Sequence, residues 1–132
     1  RSGAGTVVLD VRRGDGPKKC FDYTMASIAT TERLIEASPD TVAAAIRAIV
    51  KTQKALKADV SLATKVGRAL FPPQEAALIA ELIRRDLPYY DAAISERSVA
   101  GMNDFACGVG ILEADVSYDQ VVATEFSEFW QS

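Results

Sequence analysis

Thr6-Val7-Val8-Leu9-Asp10-Val11 and, further along, Phe21-Asp22-Tyr23-Thr24-Met25-Ala26-Ser27-Ile28-Ala29-Thr30 are the two stretches on which the fold class turns. The first is a β-branched run closed by Arg12-Arg13-Gly14-Asp15-Gly16-Pro17, which is dense in turn formers, so a strand and a loop are predicted. The second sets Phe21, Tyr23, Met25 and Ser27 on one side and Asp22, Thr24, Ala26 and Ile28 on the other, the period of two expected of a strand. Two strands alone seldom form a stable sheet. Pairing is therefore expected from a partner chain or, preferably, from further strands of a larger α/β protein.

Beyond these stretches the sequence is helical. Ile28-Ala29-Thr30-Thr31 runs into Glu32-Arg33-Leu34-Ile35, which predicts a short helical turn before Ser38. Ser38-Pro39-Asp40-Thr41 then predicts a helix start, with Ser38 as cap, Pro39 at the first helical position and Asp40 facing the dipole. Its inner face is predicted to be Val42, Ala45, Ile46, Ile49, Val50 and Leu56, with Arg47, Lys51, Lys54 and Lys57 outward. Asp59 or Ser61 is expected to cap a second helix with a stripe of Leu62, Ala63, Val66, Ala69 and Leu70, ended by Pro72-Pro73. A third opens at Pro73, turns Ile79, Leu82, Ile83 and Leu87 inward and stops at Pro88. Ser95 caps a fourth, carrying Val99, Met102, Phe105, Ala106 and Val109, with Gly108 or Gly110 as its left-handed end. Ser117-Tyr118-Asp119-Gln120 fits a capping box for a last short helix, and Phe126, Phe129 and Trp130 read as core or interface.

Composition narrows the function. Fifteen basic against 18 acidic residues leave a net charge of −3 with no basic stripe, which argues against nucleic-acid binding. No apolar run approaches the roughly 20 residues of a spanning helix. Arg1-Ser2-Gly3-Ala4-Gly5 has no apolar stretch or cleavage signature, so any secretory signal is expected to lie outside these residues or not to exist. Cys20 and Cys107 lack ligand spacing and the chain has no histidine, so no metal or cofactor is expected. They read as two buried free thiols, with a single disulfide as the alternative in an oxidising compartment.

The same lack of histidine removes the common Ser-His and Cys-His arrangements, and no catalytic residue is assigned. Asp10, Asp15 and Asp22 are accounted for by turns and strand ends, and Glu32, Glu36, Glu75, Glu81 and Glu96 by solvated helix faces. Neither Gly14-Asp15-Gly16-Pro17 nor Gly108-Val109-Gly110 has the form of a phosphate-binding loop.

In order and spacing, the glycine-rich entry and run from Gly3 to Val11, Phe21-Asp22-Tyr23-Thr24, Ala29 to Ile35, Ser38-Pro39-Asp40-Thr41-Val42, Ala48-Ile49-Val50-Lys51-Thr52-Gln53-Lys54 and the aromatic tail form one pattern. That pattern resembles the nitrate/sulfonate/taurine-type solute-binding proteins of ABC importers, over nearly the whole chain. The resemblance implies the C-terminal portion of a periplasmic-binding-protein type II-like α/β fold, here two short strands followed by about five helices. Residues 1–20 would end the second lobe and approach the hinge, and residues 21–132 would be the helix-rich C-terminal part of the first lobe. Asp22, Tyr23 and Thr24 would lie near the cleft, where a phenol and a hydroxyl can hydrogen-bond a polar solute; ordinary strand packing is the plainer account of them. The implied partners are a small-molecule solute and an ABC permease, and the implied location is periplasmic or extracytoplasmic. Most of the cleft would belong to residues beyond these 132, so a fragment of this kind is expected to expose a strand edge or apolar face and to form a homo-oligomer. The rivals are a free-standing helical interaction module and a pyrimidine-precursor biosynthesis relative without transport function.

Overall fold

In the computed structural model, which describes residues 5–23 and 27–131, helices and short 3-10 turns supply all the regular structure, and no strand occurs among the described residues. The chain divides into two separately packed units. One takes Thr30–Ala93 and Thr124–Ser132, the other Arg1–Ala29 and Ile94–Ala123.

The first unit is built on locally encoded helix ends. Helix α1 (Glu32–Ala37) starts at Thr31, whose Oγ1 accepts the Leu34 N–H at 3.3 Å. It ends at Ser38, whose N–H donates to the Leu34 carbonyl at 2.9 Å while its own carbonyl accepts from Thr41 at 3.0 Å and Val42 at 3.3 Å. Ser38 thus closes α1 and opens α2 (Pro39–Ala58) with its backbone, and its hydroxyl makes no cap bond, contrary to expectation. Pro39 occupies the first turn of α2, where its missing N–H has no intrahelical partner to lose. Asp59 Oδ1 accepts the Ser61 N–H at 2.9 Å ahead of α3 (Ser61–Leu70), and Pro73 opens α4 (Pro73–Asp86). Beyond Asp86 the chain tightens into a 3-10 turn, Leu87–Tyr89, that contains Pro88.

Helices α3 and α4 bury their small residues. Ala63, Gly67, Ala76 and Ala80 are buried, and a Cβ placed on Gly67 would lie 3.4 Å from the Ala76 Cβ. Val66, Leu70 and Leu82, expected on the inner faces, are exposed. The cause is the close approach allowed where no side chain intervenes: the glycine and alanine stripe meets the neighbour, and the leucine stripe is left outside. On α2 the buried residues are Val42, Ala43 and Val50, and Ile49 is exposed instead of buried.

The aromatic tail forms a 3-10 segment, Thr124–Trp130, packed on α2 with Phe126 only 6% exposed. Arg47 and Lys54, expected to face outward, hold this tail. The Arg47 guanidinium lies 4.9 Å from the Phe129 ring centroid, and Lys54 Nζ donates to the Gln131 carbonyl at 2.9 Å. Lys57 Nζ likewise donates to the Tyr90 carbonyl at 3.0 Å. Long basic side chains lay their apolar stems along a helix and still reach a carbonyl, so a basic face is not always a solvated one.

The second unit carries the main correction. Residues 6–10 have no regular structure, Val11–Arg13 and Lys18–Asp22 are 3-10 turns, and residues 27–29 are irregular; Thr24, Met25 and Ala26 lie outside the described residues. The two strands, and with them the α/β class and the type II periplasmic-binding fold, are replaced by an all-helical architecture. The physical reason is that extended backbone is held by a ladder partner, and a β-branched run supplies propensity without a partner. Val8 is 95% exposed. After Leu9 the chain curls on Asp10, whose carbonyl accepts from Arg13 at 2.9 Å and Asp15 at 3.4 Å and whose N–H donates to Asp15 Oδ2 at 3.1 Å. Gly14 and Gly16, at φ of 87° and 98°, supply the left-handed steps this curl needs.

Candidate functional site

Helix α5 (Glu96–Gly108) is the platform of the second unit. Ser95 Oγ accepts the Ser98 N–H at 3.1 Å and caps it as the sequence predicts. At the other end Gly110, at φ 78°, donates to the Cys107 carbonyl at 3.1 Å while Ile111 donates to the Ala106 carbonyl at 2.8 Å. These are the paired bonds of a Schellman closure, which places the left-handed residue at Gly110 and not at Gly108. The short helix α6 (Tyr118–Val121) follows, with the Ser117 N–H and Oγ–H both donating to Gln120 Oε1, at 3.2 and 2.9 Å. Tyr118 Oη donates to the Ile94 carbonyl at 2.6 Å.

The 3-10 turn Lys18–Asp22 packs on α5. Pro17 sets its entry, with the Cys20 N–H donating to the Pro17 carbonyl at 3.0 Å, and Tyr23 ends it in an extended conformation. The Tyr23 ring then meets Phe105 of α5 with centroids 5.6 Å apart and planes tilted by 59°. This tilted pair lies within the centroid separation that favours aromatic contacts. Of the three candidate solute contacts, Tyr23 is placed on α5, Asp22 has its backbone in the turn and its side chain outside the described set, and Thr24 lies outside the described residues.

A second polar feature was not anticipated. Asn103 is buried, donating from Nδ2 to the Val116 carbonyl at 2.8 Å and accepting the Val116 N–H on Oδ1 at 3.3 Å. Its signal was present: Asn103 stands four residues after the buried Val99, on the inner stripe, where a polar residue must find partners. It fastens the loop before α6 to α5 with both faces of one amide.

Both cysteines are free and half-buried. Cys107 stands two residues after Phe105, about 200° around the helix, which turns it away from the side that carries Tyr23. Its Sγ donates to Asp115 Oδ1 at 3.6 Å. Partial burial first, then the hydrogen bond to Asp115 and the charges of Asp115 and Asp104, push this thiol above its ordinary pKa. A thiol kept neutral is a weak nucleophile. In the first unit, the hydrogen bonds from Ser61 hold the Asp59 carboxyl below its ordinary value, a capping effect at the start of α3.

Among the described residues no three His, Cys, Asp or Glu side chains gather as metal ligands, and no helix is long and apolar enough to cross a membrane. The surroundings of Tyr23 offer the ring of Phe105. That is the chemistry of contact and packing. Compared with family models, with characterised proteins and with solved structures, the chain matches none.

Proposed function

We propose that this chain works as part of the solute-binding component of an ABC importer, outside the cytoplasm and without covalent chemistry. It would help to hold a small polar or anionic solute, such as a sulfonate, nitrate, taurine or a pyrimidine-like molecule, for delivery to a membrane permease. The sheet that the resemblance implied is no part of the proposal. What supports the reading is the order of segments on which the resemblance rests. The observation that carries it is the joint at Ser38, where two consecutive segments of that order, Ala29 to Ile35 and Ser38 to Val42, lead into two helices that share one boundary residue.

Tyr23, with Asp22 and Thr24 beside it in sequence, remains the candidate solute contact. The test is thermal unfolding of the complete gene product against taurine, nitrate, alkanesulfonates and pyrimidines. A ligand selective for the folded state at about 100 times its Kd adds about 2.7 kcal/mol and raises Tm. A rise with one of these solutes, reduced in Tyr23→Phe, is expected. No rise with any of them overturns the proposal.

A second reading, a helical interaction module that forms a homo-oligomer, is favoured by a specific observation: Val7, Val8 and Leu9 form an exposed apolar run, and Leu70 and Leu78 are exposed on α3 and α4. Light scattering distinguishes it. A concentration-dependent dimer supports it, and a monodisperse monomer that binds no apolar dye excludes it.

A further inference from the structure

We draw no further inference here: the strongest candidate, the exposed apolar side chains Val66 and Leu70 on α3 and Leu78 and Leu82 on α4, is an unpartnered surface with nothing in the structure to show what covers it.

Discussion

Residues 39–86 and residues 5–23 both read as strongly patterned sequence, yet the first stretch is almost wholly regular helix and the second only two short 3-10 turns. The difference lies in where each kind of structure finds its hydrogen bonds. A helix pairs its backbone within about four residues, so Pro39, Asp59 and Pro73 suffice to start one, and packing follows. A strand must borrow its bonds from elsewhere. Thr6 to Val11 has the residue types but no ladder among the described residues, and the local bonds around Asp10 turn the chain instead.

The contrast can be broken by substitution. Phe126→Ala in the tail packed on α2 removes a buried ring and should cost about 3–5 kcal/mol in urea unfolding; a loss below about 1 kcal/mol would mean that the tail is not fastened. Ala76→Leu, at a site 1% exposed opposite Gly67, should cost about 1–3 kcal/mol through overpacking. A neutral result there would show that α3 and α4 can part without loss. Ser95→Ala should remove about 1 kcal/mol by deleting the cap on α5, with Ser95→Asp restoring most of it. Val8→Lys should change stability by no more than about 0.5 kcal/mol, because the side chain is already in water. A larger loss there would reveal a paired segment.

Much of this was legible in the residues, and the division is physical. Helix starts at Pro39, Pro73 and Ser95, the end at Gly110 and the reach of Gln120 back to Ser117 follow from neighbours in sequence. Which side of a helix goes inward did not follow, because Gly67 and the alanines of α4 outcompeted larger apolar residues through close approach, a property of two helices together. Arg47 and Lys54 were likewise assigned to solvent because their partners, Phe129 and Gln131, are far along the chain. At the candidate site, the aromatic character of Tyr23 was visible, but its contact with Phe105 joins segments about eighty residues apart and no local pattern announces it. The strands failed for the same reason in its strongest form: a ladder needs a partner distant in sequence, and none occurs among the described residues.

Amide hydrogen exchange tests the central claim most directly. If residues 6–9 are unpaired, their amides should exchange close to the rate of an unstructured peptide, while those of α2 around Val50 are slowed by orders of magnitude as part of a packed helix. Protection at Val7 to Leu9 matching that of α2 would demonstrate a strand ladder and contradict the all-helical account.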